Sequence, residues 1–301
     1  MTELQEEILR LKDEKEALIL AHYYQDMEIQ AVADHVCDSF EMARLATTDV
    51  RSLLMICGVH FMAQSAKILN PSKTVLLPVV GAGCPMADDV QPEDVIKLRE
   101  LYPDAAVVCY INTSAAVKAV CDVCCTSSSA ITIVRALPEK RIIFVPDRNL
   151  CAFISSKVPE KEFIPFDGCC PIHDAVTESD ALAAKNAHPG AKLLVHPECK
   201  MEVLIHADYI GSTSGIISEA LKASALEFII GTENGVVERL RMLAPEKTFH
   251  PITTGFICHD MRKTKLSDVY NALEKGVHEI NLPDAEMNAA SLCLKRMIDL
   301  A

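Results

Sequence analysis

The sequence lacks any uninterrupted run of about 18 apolar residues, the length that a membrane-spanning helix requires. It also lacks a basic run of more than a few residues, and its net charge is −13. Nucleic acids and anionic membrane surfaces bind to cationic patches, so neither is an expected partner. The amino-terminal segment is charged and has no apolar core, which is unlike a secretory signal peptide. We therefore expect a cytoplasmic protein.

No low-complexity stretch or long linker interrupts the 301 residues, and half of them are hydrophobic. This composition is typical of a globular protein with two or three domains. Short apolar runs alternate with helical patterns that end at Pro or Gly, which predicts an α/β fold with parallel sheets. The runs cover residues 18–21, 53–57, 74–79, 106–111, 141–146, 162–166, 192–196, 227–231 and 280–282.

A repeat of roughly 87 residues runs through the chain. Segments 70–79, 158–166 and 244–252 each contain a helix stop, a turn with Pro and Lys, and a strand that includes Pro. A cysteine follows each segment within a few residues. These cysteines are Cys84, Cys170 and Cys258, at spacings of 86 and 88 residues.

The same period relates polar residues at the ends of predicted strands. The pairs are His22 and Tyr24, Tyr110 and Asn112, and His196 and Glu198. Hydroxyl-rich clusters also recur, at 38–39, 126–128 and 212–213. Three sets with one period predict three homologous α/β units around a pseudo-threefold axis. Ligands bind outside the carboxyl ends of parallel strands, so we expect the equivalent loops to converge on one site.

Three cysteines from three units suit a metal site better than a disulfide. Structural zinc usually takes four ligands, and an iron–sulfur cluster normally takes four cysteines in tight runs. A cubane held by three thiolates would leave one iron open as a Lewis acid. Periodicity alone does not choose between these options. Cys169 could replace its neighbour Cys170, while Cys121 and Cys124 form a C-x2-C pair that lies outside the period.

Several motifs in order resemble the quinolinate synthase family, and the resemblance covers essentially the whole chain. They include AHYYQ (21–25), AGCPMAD (82–88), YINTSAAVKA (110–119), CTSSSA (125–130), GCCPIH (168–173), HPE (196–198), GSTSG (211–215) and CHDM (258–261). The resemblance implies three pseudo-symmetric, three-layer α/β/α domains with the active site on the central axis. We place the first domain at residues 1–86 with 265–301, the second at 87–172 and the third at 173–264.

By this resemblance, the protein condenses iminoaspartate with dihydroxyacetone phosphate to quinolinate in de novo NAD biosynthesis. Phosphate and two waters are lost, and L-aspartate oxidase is the expected functional partner. The implied cofactor is a [4Fe-4S] cluster with one open iron, held by Cys84, Cys170 and Cys258.

The same resemblance implies the residues of the pocket. The expected catalytic residues are His22, Tyr24, Tyr110, His196 and Glu198, with His196 and Glu198 as an acid–base pair. The expected substrate-binding residues are Asp38, Ser39, Met62, Asn112, Ser127, His173, Ser212 and Thr213. Ser39, Ser127, Ser212 and Thr213 lie where loops enter helices, positions that suit either anion binding or helix capping.

Other classes make different predictions. An aconitase-like iron–sulfur hydro-lyase would act on a hydroxy acid without a triose phosphate. An iron–sulfur redox carrier would have a fully ligated cluster and no substrate pocket. A zinc-stabilised binding module would contain zinc in place of iron.

Overall fold

Three units share one strand arrangement in the computed structural model, which describes all 301 residues. Each unit contains a four-stranded parallel sheet with helices between the strands. The sheet orders are β2-β1-β3-β4, β6-β5-β7-β8 and β10-β9-β11-β12, so the second strand of each unit lies at one edge. The predicted α/β class with parallel sheets is therefore confirmed, and its threefold repetition is visible in the topology.

The secondary structure of the first unit starts with a helix that precedes the sheet. Its strands are β1 (Ala17–His22), β2 (His35–Cys37), β3 (Leu53–Cys57) and β4 (Thr74–Leu76). Its helices are α1 (Glu3–Glu14), α2 (Met27–Gln30), α3 (Ser39–Thr48) and α4 (His60–Leu69).

The second unit repeats this order after two helices. Its strands are β5 (Ala105–Tyr110), β6 (Val123–Cys125), β7 (Arg141–Val145) and β8 (Glu162–Pro165). Its helices are α5 (Pro85–Asp89), α6 (Pro92–Leu101), α7 (Ala115–Lys118), α8 (Ala130–Ala136) and α9 (Arg148–Lys157).

The third unit follows, and two helices complete the chain. Its strands are β9 (Lys192–Val195), β10 (Tyr209–Ile210), β11 (Glu227–Gly231) and β12 (Thr248–Pro251). Its helices are α10 (Pro171–Asp174), α11 (Glu178–Ala187), α12 (Met201–Leu204), α13 (Thr213–Lys222) and α14 (Gly235–Leu243). The last two helices are α15 (Leu266–Lys275) and α16 (Asp284–Leu300).

The central strands are continuous apolar runs because helices cover both faces of each sheet. All six residues of β1 and all six of β5 are buried, as expected for parallel sheets inside α/β layers. A separate apolar core lies between the first sheet and the helices α1 and α15. None of the sixteen helices is both long and apolar enough to cross a membrane.

A carboxylate fixes the first strand of each sheet in the same way. Asp34, Asp122 and Asp208 lie 88 and 86 residues apart. They accept the backbone N–H groups of β1, β5 and β9 at 2.8, 2.7 and 2.8 Å; the donors are Ile19, Val107 and Leu193. The repeat thus extends to individual hydrogen bonds.

The two carboxyl-terminal helices lie against different parts of the molecule. Helix α15 packs against α1, α2 and β3 of the first unit. Helix α16 packs against α4 of the first unit and also against β6, α7 and α8 of the second. The predicted domain boundaries, which assign residues 265–301 to the first domain, stay a prediction.

The sequence pattern misplaced a few short elements. The predicted strand at 280–282 is wrong, because only Glu279 forms a single antiparallel bridge, with Leu76 at the edge of the first sheet. Pro283 then follows, and proline cannot donate to a ladder. The strands β2, β6 and β10 were missed, since two or three residues are too short to show a period.

Replacing Asp34 with Ala removes the acceptor for the Ile19 N–H and the ion pairs with Lys12 (3.1 Å) and Arg51 (3.4 Å). We expect the free energy of unfolding to fall by about 1–3 kcal/mol, because a backbone donor loses its partner. Chemical denaturation measures this, with exposed Asp13→Ala as the control. An unchanged midpoint for Asp34→Ala would contradict the anchoring role.

Candidate active site

One thiol from each unit lines a single cavity of about 280 Å³. Cys84, Cys170 and Cys258 lie in the loops that follow β4, β8 and β12, at the carboxyl ends of the strands. Cys169 does not line this cavity, although it neighbours Cys170 in sequence. Three residues that are 86 and 88 positions apart therefore become spatial neighbours.

The three thiols share one local environment. The backbone N–H of the residue three positions further along the chain lowers the pKa of each thiol. The donors are Ala87, His173 and Met261. Cys84 and Cys170 are also the N-caps of α5 and α10, each with Pro at the first helical position. Pro85 and Pro171 therefore each start a helix, a position that suits the fixed φ of proline.

Burial makes these thiols hard to ionise. It raises the pKa of Cys84 to about 12 and that of Cys258 to about 11, and it raises the pKa of Cys170 well above its ordinary value. A metal binds the thiolate form and displaces the proton, so a bound cation would offset this cost. Three convergent sulfurs, each with an N–H donor, fit a thiolate-bound metal centre.

A narrower cavity of about 50 Å³ adjoins the cysteine cavity, and Tyr24, Asn112, Glu198 and Met261 line both. The structure brings most of the sequence-predicted pocket residues to this narrower cavity. They are His22, Tyr24, Asp38, Ser39, Met62, Tyr110, Asn112, Ser127, His196, Glu198 and Thr213. His173 lines the cysteine cavity, and Ser212 lines neither. No Lys or Arg lines either cavity.

Two equivalent histidines are held as neutral rings in one tautomer. His22 Nδ1 accepts the N–H of Tyr24 at 3.2 Å, and His196 Nδ1 accepts the N–H of Glu198 at 3.3 Å. Burial lowers the pKa of His22 to about 3 and that of His196 to about 4. Since Nδ1 accepts, the single proton of each ring is on Nε2. His196 Nε2 reaches Ser127 Oγ at 3.3 Å.

Glu198 is a buried carboxylate at the junction of the two cavities. Its Oε2 lies 2.9 Å from His173 Nδ1 and 3.5 Å from His196 Nδ1. Burial opposes ionisation, but the two histidines and the Tyr110 hydroxyl keep the pKa of Glu198 below its ordinary range. His173 Nδ1 also lies 3.2 Å from Cys170 Sγ. The ligand atoms of Cys170, His173 and Glu198 lie within 4.8 Å of one another.

The Tyr24 hydroxyl connects the narrower cavity, through Thr213, with the cysteine cavity, through Thr232 and His173. It lies 2.7 Å from Thr232 Oγ1 and 3.1 Å from Thr213 Oγ1. Thr232 Oγ1 in turn lies 3.1 Å from His173 Nε2. Burial raises the pKa of Tyr24 and of Tyr110 well above the ordinary value, so both phenols are neutral. Neutral phenols can donate hydrogen bonds to substrate oxygens.

The hydroxyl clusters lie at or just before helix starts. Asp38 caps α3 and accepts the hydroxyl of Ser214, and Ser39 is the first residue of that helix. Ser212 caps α13 by accepting the N–H of Gly215 at 3.2 Å, which is the alternative role that its position allows. Thr213 follows as the first residue of α13 and does face the cavity.

Sequence reasoning missed three buried residues of the site. Thr232 bridges Tyr24 and His173, and Glu233 lines the cysteine cavity with its carboxylate bound to Arg262 at 3.2 Å. Asp147 accepts the backbone N–H of a cavity cysteine. Asp147 and Glu233 lie 86 residues apart, so a search of strand ends with the repeat period could have found both.

Comparisons with known proteins agree on one family. Residues 6–299 match the family described as "NadA: Quinolinate synthetase A protein". The chain is 48% identical to a protein of Caldicellulosiruptor saccharolyticus over 99% of this chain and 98% of that one. It is 47% identical to a protein of Thermodesulfovibrio yellowstonii, over 98% and 97% of the two chains. Both relatives are named quinolinate synthase.

The neutral histidines predict a pH dependence. The unfolded chain takes up protons near the ordinary histidine pKa of about 6.5, whereas folded His196 takes one up near pH 4. The unfolded state therefore binds more protons between these values, so stability falls as pH is lowered through that window. By nitrogen NMR, we expect His22 and His196 as Nε2–H tautomers that do not titrate near pH 6.5. A ring pKa near the ordinary value would contradict this.

Proposed function

The chain belongs to the quinolinate synthetase A family, and from that premise we propose that it makes quinolinate in de novo NAD biosynthesis. The substrates are iminoaspartate and dihydroxyacetone phosphate, and the products are quinolinate, phosphate and two waters. These formulas balance without an external oxidant or reductant. Family membership favours this reaction over an aconitase-like hydro-lyase.

One observation carries the proposal: three thiols from three repeats meet beside a pocket of histidine, tyrosine and glutamate side chains. A redox carrier has no use for such a pocket, and a structural zinc site has no need of the adjoining polar cavity. The shared wall places the polar side chains next to the sulfurs. This is the arrangement expected of a metal-dependent enzyme.

The cofactor that we propose is a [4Fe-4S] cluster with Cys84, Cys170 and Cys258 as its three ligands and one iron without a cysteine. When bound, such a cluster supplies an open Lewis-acidic iron that polarises substrate oxygens. The cavity walls contribute no Lys or Arg. Recognition of the anionic substrates therefore falls to neutral donors in the pocket.

The neutral donors have defined directions. His22 and His196 each keep a proton on Nε2, because their Nδ1 atoms already accept backbone N–H groups. Ser39 and Thr213 are the first residues of α3 and α13 and line the pocket. We propose that these groups bind carboxylate and phosphate oxygens and hold the two substrates in contact.

Proton transfer in the pocket falls to Glu198 and the two tyrosines. Condensation and ring closure remove protons from carbon and deliver protons to departing oxygens. Glu198 is ionised and buried, so it can take a proton from carbon. The hydroxyls of Tyr24 and Tyr110 can deliver protons to oxygen. The acid–base role of His196 stays a prediction, since its tautomer favours hydrogen-bond donation.

The pathway context follows from the chemistry of the substrate. Iminoaspartate hydrolyses readily, so an enzyme that oxidises L-aspartate must supply it, and we propose L-aspartate oxidase as the functional partner. We also propose a cytoplasmic location, where both small-molecule substrates would be available. Nucleic acid is not an expected partner of this acidic protein.

The metal content tests the cofactor. After anaerobic purification, we expect about four iron and about four sulfide per chain. A Cys84→Ala variant should lose most of the iron, because one of three ligands is gone. A matched Cys57→Ala variant should keep it, since this buried cysteine lies outside the cavity. Zinc in place of iron, or iron that survives Cys84→Ala, would contradict the proposed site.

Activity tests the pocket. A Tyr24→Phe variant keeps the ring and loses the hydroxyl that lies between Thr213 and Thr232. We expect kcat for quinolinate formation to fall about 100-fold with unchanged iron content, because a proton donor is lost. Tyr270→Phe is the control, since that hydroxyl bonds only to Glu274 at an exposed site. Equal activities of the two variants would remove Tyr24 from the mechanism.

A further inference from the structure

Each cysteine loop is tied to its sheet by an equivalent backbone hydrogen bond. The donors are the N–H groups three residues after β3, β7 and β11, and the acceptors are the carbonyls two residues before each cavity cysteine. The pairs are His60 with Ala82, Arg148 with Gly168 and Asn234 with Phe256, at 2.8, 2.8 and 2.9 Å. The backbone frame around the three cysteines is therefore the same in all units.

The residue just before each donor differs between units. These positions are Val59, Asp147 and Glu233, spaced 88 and 86 residues apart. Asp147 and Glu233 have no exposed surface. Two of the three loops thus meet a buried carboxylate, whereas the loop of Cys84 meets the apolar side chain of Val59.

Each carboxylate binds the segment that carries a cavity cysteine. Asp147 Oδ2 accepts the N–H of Cys170 at 3.0 Å, while Oδ1 accepts the N–H of Leu150 at 2.7 Å. Glu233 Oε2 accepts the N–H of Gly235 at 2.6 Å, and Oε1 accepts the Nε–H of Arg262, four residues after Cys258, at 3.2 Å. Burying a carboxylate is costly unless such donors satisfy it. Each carboxylate therefore keeps its hydrogen-bond donors only while the segment that carries its cysteine stays in this position.

We propose that Asp147 and Glu233 are positioning residues that hold Cys170 and Cys258 in place as metal ligands. The equivalent position in the first unit is Val59, so the loop of Cys84 has no such carboxylate and the three ligands are anchored unequally. This inference depends on the proposed cluster only for the measurement of iron release. A helix-capping role of Asp147 at α9 is the competing explanation, and it predicts lost stability without any specific effect on the metal.

The test uses variants that keep the shape of the side chain and lose one hydrogen-bond acceptor. Asn and Gln replace one carboxylate oxygen with an NH2 group, which cannot accept a backbone N–H. We therefore compare Asp147→Asn and Glu233→Gln with the full-length wild type. The matched controls are Asp122→Asn and Asp208→Asn, which also affect carboxylates bound to backbone N–H groups in the same two units.

Two measurements distinguish positioning from general stability. The first is the anaerobic rate of iron release to a ferrous chelator, for which we expect about a tenfold increase in Asp147→Asn and Glu233→Gln. The second is hydrogen exchange of the segments 168–174 and 256–261 in the metal-free protein. Each variant should speed exchange in its own loop, and the controls should behave like the wild type in both measurements.

Wild-type iron release and wild-type loop exchange in both variants would overturn the proposal. Equal effects in the variants and the controls would also overturn it, because they would indicate a general loss of stability. If Asp147→Asn does not fold, Glu233→Gln decides; Glu233 Oε2 also accepts the N–H of Gly235 at the start of α14, and faster exchange confined to segment 256–261 separates the loop anchor from that contact. If the wild type binds no iron, the cofactor proposal fails, and loop exchange still tests the anchors.

Discussion

The structure depends on one constraint: the carboxyl ends of strands in three parallel sheets provide the loops that face a common centre. Parallel strands place their polar loop residues at one edge, and the threefold repeat supplies equivalent loops. A backbone hydrogen bond of 2.8 to 2.9 Å then fixes each cysteine loop to a strand end. The three cysteines meet because the sheets are repeated, with no direct bond between them.

The centre is electrically unusual for a site that takes anionic substrates. No Lys or Arg lines either cavity, and Asp38, Glu198, Glu233 and Asp260 bring negative charge. The thiols are neutral while they are buried without a metal, as their raised pKa values indicate. The proposed cluster would therefore supply the positive charge that the side chains do not. The neutral histidines and tyrosines would then orient the substrates by donating hydrogen bonds.

The cysteine loops and much of the pocket were predictable from the sequence, because the repeat of about 87 residues keeps equivalent positions at a constant spacing. The spacing of Cys84, Cys170 and Cys258 identified the loops, and the strand-end pairs around His22 and His196 identified the pocket. The tautomers could not be predicted, since they depend on backbone N–H groups. Asp147 was missed because it lies 23 residues before the cysteine whose N–H it accepts. The packing of α16 against two units depends on tertiary contacts that no local pattern encodes.

The central claim is that three repeats hold one shared metal centre. Anomalous diffraction at the iron absorption edge, from crystals grown without oxygen, tests it most directly. The account predicts one iron feature in the cavity between the sulfurs of Cys84, Cys170 and Cys258. Iron beside other cysteines, such as the buried pair Cys109 and Cys293 at 3.5 Å, with none in that cavity, would contradict it.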